Sequence, residues 1–303
     1  MQWQWEERCK ERPIPVRMIE RIAILGTGLL GTSAGLALRA AGYRGTITGW
    51  NRSPEQAHTA LSMGALDSVA TDGLQAARES QVVLLATPVF AELDWMEQLA
   101  GVLGPDQLIT DVGSTKAQIT AAADRLFNRP GRAAFLPGHP MAGKERGGAA
   151  LADANLFRGA VWLFTDIPEW KRSPEGVALV AAWREWVGTI GAKVIDLDAA
   201  RHDELIAWVS HLPQFVATAL SALLEDQVGD APELKDVGGR ALREMTRLGA
   251  SPYSMWRDIA HTNTEAVQAA IFALEQRLAH IRENLRTPEL RDEFEKANKF
   301  RRD

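Results

Sequence analysis

Cysteine is nearly missing from this chain, with Cys9 the single one in 303 residues. That excludes an internal disulfide and a cysteine-built zinc site, so no metal is expected and a reducing cytoplasm is the expected compartment. Long apolar runs are missing too. None approaches the roughly 18 uninterrupted residues of a membrane-crossing helix, so no membrane partner is expected. The N-terminal MQWQWEERCKERPIPVR mixes charge signs with Trp3 and Trp5 and lacks the apolar centre of a secretory leader. Residues 1–17 read as an extension. Basic excess is also absent. With 34 Lys and Arg against 39 Asp and Glu, the net charge is −5 and no basic stripe is visible, which argues against a nucleic-acid surface. Repeats and low-complexity tracts are not found. What remains is 46% apolar and 24% charged, enough for two domains with separate cores.

The stretch RIAILGTGLLGTSAGLALRAAGYRGTITGWNR, 21–52, carries the strongest local signal. An apolar run leads into Gly26, Gly28 and Gly31 at G-x-G-x-x-G spacing, and a small-residue helix and a second strand follow. Each glycine has its own task in a dinucleotide-binding turn. Gly26 permits the turn, Gly28 admits a pyrophosphate, and Gly31 lets helix and strand pack closely. The helix start, with Leu29 and Leu30, then faces the phosphates with its N–H groups and dipole. In NAD-binding units an acidic residue about 20 positions on binds the ribose 2′-OH. Here that place holds Asn51, followed by Arg52 and Ser53, which removes the repulsion of a 2′-phosphate and supplies donors for one. NADP is therefore expected in preference to NAD, with NAD still possible.

The alternation continues with a helix over 53–64 capped by Ser53, a short helix from Asp72, the buried strand QVVLLATPV, a helix over 90–103 and a strand over 107–111. Thr87 and Pro88 close a strand at its C-terminus and should border the cofactor. DVGSTKAQITAAADRL is a strand-to-helix turn, AAFLPG a strand with His139 just past its end, and AVWLFTD, 174–187 and AKVIDLD supply strand, helix and strand. From Asp198 onward the pattern is helical, over 202–227, 232–248, 253–285 and a charged helix from Pro288. The expected fold is α/β: a Rossmann-type doubly wound parallel sheet over 18–197, followed by an all-helical domain over 198–303. Leu205, Trp208, Val209, Leu212, Phe215, Val216, Ala219, Leu220 and Leu223 form an apolar face wider than one small layer needs. A homodimer through the helical domain is expected.

Three more segments carry chemistry: GHPMAGKERGG at 138–148, DVGSTK at 111–116, and, in the helical part, SHLPQ with EMTRLGASPYSMWRDI. Taken by themselves they offer a histidine base, a hydroxyl that could fix its tautomer, and cations for an anionic small-molecule substrate. With a nicotinamide, that is the inventory of a dehydrogenase acting on an alcohol carboxylate.

Together with GTGLLGTSAGLAL these segments, in this order, resemble the prephenate/arogenate dehydrogenase family of tyrosine biosynthesis, over about residues 20–285. The resemblance implies oxidative decarboxylation of prephenate or arogenate. It places the catalytic base on His139 and the serine that orients it on Ser114. Substrate binding falls on His211 of S-H-L-P, on Arg247 of T-R, which meets a carboxylate, and on Trp256 of M-W-R-D. Arg257 is expected to be a structural ion-pair partner of a nearby acid, and His58, His202, His261 and His280 to be surface or packing residues. Lys144, where some members carry threonine, and Arg240 with Ala241 add bulk or charge near the expected substrate pocket and leave prephenate against arogenate open. Neither a chorismate mutase domain nor a regulatory domain is visible, so a monofunctional enzyme is expected. The nearest alternative is a β-hydroxyacid dehydrogenase or imine reductase, which shares the architecture and an Asn-Arg pair; GHPMAGKE and DVGSTK argue against it.

Overall fold

The computed structural model describes residues 19–165, 168 and 171–302. The expected N-terminal extension lies outside them. The chain forms two compact units, one made of the described residues up to Asp203 together with Ser251–Thr262, the other of Glu204–Ala250 and the described residues from Asn263 on.

In the first unit, strands β1 (Arg21–Leu25), β2 (Thr46–Trp50), β3 (Ser68–Val69), β4 (Val82–Leu85), β5 (Leu108–Asp111) and β6 (Ala134–Leu136) form a parallel sheet in the order β3-β2-β1-β4-β5-β6. Parallel strands need crossovers. Helices α1 (Leu29–Ala40), α2 (Pro54–Ser62), α3 (Gly73–Arg78), α4 (Val89–Leu99) and α5 (Ala117–Leu126) supply them. Alternate strand residues feed two separate cores. Ile22, Ile24, Val82, Leu84 and Leu108 pack on one face, Ala23, Leu25, Val83, Leu85 and Ile109 on the other. The doubly wound expectation holds, and β3 is a strand that its two residues gave no periodicity to reveal.

The segment AAFLPGHP is not one strand. Pro137, which has no N–H for a ladder, separates β6 from β7 (Gly138–Pro140), and the two belong to different sheets. β7 pairs antiparallel with β8 (Val161–Phe164), which pairs parallel with β9 (Lys193–Asp196) beside α6 (Pro174–Thr189). His139 therefore lies inside a strand, opposite Leu163, and not past a strand end as the sequence suggested.

Helix α7 (Ala199–Ile206) leads into the second unit, where the described elements are helical. The expected helix over 202–227 contains a π-helical stretch, Ala207–His211, before α8 (Leu212–Val228). Pro213 cannot donate to the i−4 carbonyl, which accounts for the shifted ladder there. After α9 (Leu234–Val237) and α10 (Gly239–Thr246), the expected single helix over 253–285 is broken at Asn263 into α11 (Tyr253–Thr262) and α12 (Thr264–Glu283), with α11 belonging to the first unit. α13 (Glu289–Arg302) follows. Few α8 side chains are buried, and Leu223, Phe272 and Leu278 are among the exposed large apolar residues. By length and composition Ala199–Val228 is apolar enough to cross a membrane, a test that core helices of soluble proteins also pass.

Candidate active site

The glycine turn is shaped as its residue types dictate. Gly26 has φ +106°, and a Cβ there would run into the Ala86 carbonyl; a Cβ on Gly31 would run into the carbonyl of Gly26. At Gly28 the space is open. α1 begins there without a side-chain cap and without an acidic residue in its first turn, so its leading N–H groups are available to phosphate oxygens. A cleft of about 800 Å³ opens beside the turn, lined by Gly26, Gly28, Asn51, Arg52, Thr87 and Pro88 among others. These observations fit a dinucleotide.

The remaining cofactor expectations divide. The Arg52 guanidinium is exposed and has no acidic partner among the described residues. Asn51 accepts the Ser53 N–H at 3.0 Å, while the Ser53 hydroxyl donates to Glu55 at 2.6 Å, so Ser53 holds the loop and does not cap α2 with its side chain. Leu29 is buried and Leu30 half-buried at the start of α1. Trp95, Asp94 and Arg257 also line the cleft, and sequence reasoning did not place them there. Arg257 does pair with an acid, donating to Asp258 at 2.6 Å.

Behind the end of β5 lies a buried charge cluster. Asp111 and Glu92 have no exposed surface and Lys116 has 1%. Asp111 accepts the Gly113 N–H at 2.8 Å and the Gly138 N–H at 2.8 Å, and it pairs with the Lys116 ammonium. Burial, and then the Asp111 charge, holds the Glu92 carboxyl well above the usual carboxylate range. That favours the protonated form of Glu92 beside the Asp111–Lys116 pair. The Asp and Lys of D-x-G-S-x-K are thus the clamp that ties the β5 turn to β7, next to His139.

His139 is 7% exposed, and its Nδ1 lies 2.8 Å from Nε2 of His202, which is 1% exposed. His202 Nδ1 is in turn 2.8 Å from Asp203 Oδ1. Asp203 also accepts the N–H groups of Lys116 at 2.7 Å and Ala117 at 2.8 Å, capping the start of α5. His202, expected to be a packing or surface residue, is therefore a ring partner of the expected base. The signal in the sequence was an adjacent His-Asp pair at the domain boundary. Ser114 is half-buried in the same turn. Burial pushes the His202 pKa down, helped by Lys116 and opposed by the bond to Asp203.

The other expected substrate residues are placed as follows. Lys144 is exposed and its Nζ donates to the Leu151 carbonyl at 2.6 Å. Trp256 is half-buried on α11. In the second unit, His211 is buried at the end of the π-helical stretch with Nδ1 3.3 Å from the Asn263 amide nitrogen, and Arg247 is exposed just after α10.

Comparison with known proteins gives the family. Residues 34–196 match the family model described as prephenate dehydrogenase, nucleotide-binding domain, and residues 198–299 the model described as prephenate dehydrogenase, dimerization domain. A prephenate dehydrogenase of Lactococcus lactis is 33% identical over 82% of this chain and 66% of its own length, so this chain spans about two thirds of that relative. A cyclohexadienyl dehydrogenase of Zymomonas mobilis is 31% identical over 82% of this chain and 83% of its own. Among solved structures, prephenate dehydrogenase of Aquifex aeolicus in complex with hydroxyphenyl propionate and NAD+ superposes with a TM-score of 0.80 at 28% identity, covering 94% of this chain and 97% of that one.

Proposed function

Because this chain belongs to the prephenate/arogenate dehydrogenase family, we propose that it oxidatively decarboxylates prephenate or arogenate with NADP, and less readily NAD, as hydride acceptor. The observation that carries the reading is the buried His139, held by its strand beside the Asp111 clamp that also ends a strand of the cofactor sheet. A neutral imidazole at this place accepts the proton of the ring 4-hydroxyl as C4 becomes a carbonyl. A nicotinamide held in the cleft beside Gly26 and Gly28 would supply the acceptor for the hydride that leaves C4. Loss of CO₂ then returns electrons through the ring to the oxygen, which regains a proton, and the gain of aromaticity makes the step effectively irreversible. Burial of His139 keeps bulk water from competing for that proton.

The preference for NADP rests on the missing acid at Asn51 and on Arg52, which lines the cleft and has no acidic partner among the described residues. Motif identity supports giving Arg247 and His211 the substrate carboxylate, Trp256 a wall of the substrate pocket and Ser114 a part in orienting His139. Lys144, whose ammonium donates to the Leu151 carbonyl, is given a place near the substrate pocket. A homodimer formed through the exposed apolar faces of the second unit accords with the relatives' dimerization domain, and a cytoplasmic biosynthetic enzyme is the setting we assign.

The test is steady-state reduction of NADP+ and NAD+ with prephenate and with arogenate. Replacing His139 with Asn keeps size and one hydrogen bond but removes the base. It should lower kcat by roughly 10²- to 10⁴-fold with NADP+ affinity nearly unchanged. Turnover of neither substrate would end the proposal, and near-normal turnover by H139N would move the base elsewhere.

A further inference from the structure

The reading of His139 as base leaves open which of its two ring nitrogens carries the lone pair, and the residues behind it settle that by donor and acceptor bookkeeping. Asp203 is anchored first. Its two oxygens accept the Lys116 and Ala117 N–H groups at the start of α5, an arrangement that suits a carboxylate. A carboxylate has only acceptors to offer, so the contact with His202 Nδ1 requires a proton on that nitrogen. Burial favours the uncharged form of His202. A neutral imidazole protonated on Nδ1 presents a lone pair on Nε2, and Nε2 is the atom that meets His139. His139 must then donate from Nδ1, which leaves its lone pair on Nε2.

From this chain of contacts we infer that His202, oriented by Asp203, is the positioning residue that sets the tautomer of His139, so that the base receives the substrate proton on Nε2. The inference rests on the proposed role of His139 and goes beyond it, because the orienting role expected from the sequence belonged to Ser114 alone. When His139 takes up a proton, its Nδ1–H bond to His202 becomes charge-assisted, which stabilises the imidazolium at the stage that needs it. No bond in the relay has to break for this to happen. It works by polarisation, with Asp203 as the fixed negative end.

Two variants separate positioning from packing. His202→Leu fills much of the space but offers no acceptor. His202→Gln can place its Oε1 near the former Nε2 and accept the same proton. We expect His202→Leu to lower kcat by about 10²-fold while KM for substrate and for NADP+ stays within about 3-fold, and His202→Gln to recover kcat to within about 5-fold of the parent. In the unliganded protein, long-range ¹⁵N–¹H spectra of histidine-labelled enzyme should show His139 protonated at Nδ1 in the parent and in His202→Gln. In His202→Leu that state should be lost or mixed. Assignment uses the His139→Asn variant. A parent enzyme with His139 protonated at Nε2 would overturn the inference, as would a His202→Leu variant with parental kcat. Equal loss in the leucine and glutamine variants would do the same. If the parent turns over neither prephenate nor arogenate, the proposed function fails, and the spectra still decide the tautomer. If the leucine variant does not fold, the parent spectrum and the glutamine variant carry the test.

Discussion

Replacing Lys116 with Met tests whether the buried cluster of Glu92, Asp111 and Lys116 is held by its charge balance. Methionine matches the length of the aliphatic stem but leaves the Asp111 carboxylate inside the protein without its cation. Removing one partner of a buried pair typically costs roughly 3–5 kcal/mol, because the remaining charge has lost its water as well as its partner. Two backbone donors, from Gly113 and Gly138, stay on Asp111, so the cost should fall toward the lower end of that range. At roughly 2–4 °C per kcal/mol for a unit of this size, thermal unfolding should move down by about 6–15 °C. The measurement is circular dichroism on heating, with urea unfolding at neutral pH as the second probe. Asp111→Asn and the double variant complete the cycle. Once both charges are gone no stranded ion remains, so the double variant should be more stable than the sum of the single losses predicts, by about 0.5–3 kcal/mol. A Lys116→Met protein that melts within about 2 °C of the parent, or strict additivity, would refute the argument.

Glu92 carries a pH signature. Its folded pKa lies above the unfolded value, so below pH 4.5 both states are protonated and the group contributes nothing. As pH rises from there toward the folded pKa, only the unfolded state releases its proton, and the native state loses ground. Glu92→Gln, which mimics the neutral form, should therefore gain stability relative to the parent as pH rises above 4.5 in urea unfolding; a difference independent of pH would refute this. Changing Asn51 to Asp together with Arg52 to Ser should lower the NADP/NAD ratio of kcat/KM, each lost charge-assisted bond being worth about 1.5–3 kcal/mol, and an unchanged ratio would place the 2′-phosphate elsewhere. Sedimentation at micromolar concentration should show a two-fold dimer, and Leu223→Glu, an exposed apolar position on α8, should weaken it; a fully active monomeric parent would end that proposal.

The parallel sheet was legible because βα alternation and the three glycines are local signals, each readable within a few residues. His139 was legible as a residue but not in its setting. Pro137 was visible, yet only the pairing of β7 with β8 shows that the chain changes sheets there. The contact of His202 with His139 could not be read for a related reason. The two lie 63 residues apart, and nothing in the helical segment of His202 announces that contact. Lys116 was quoted within a motif without a task, since its role depends on Glu92 from another helix. The broken helices around His211 and Asn263 escaped notice because apolar spacing runs through such breaks unchanged.

Helix α11 is the one segment of the first unit that the chain supplies after it has left that unit. It fills its place with buried Asp258, Ile259 and Thr262, the last hydrogen-bonded to Thr115 at 2.8 Å. During synthesis the nucleotide-binding unit therefore stays incomplete until residue 262 has cleared the ribosome, long after its sheet can form. Until then Thr115, in the turn after β5, waits for its partner. A gene truncated after residue 203 would encode every strand of the sheet and still yield a product missing part of its own wall.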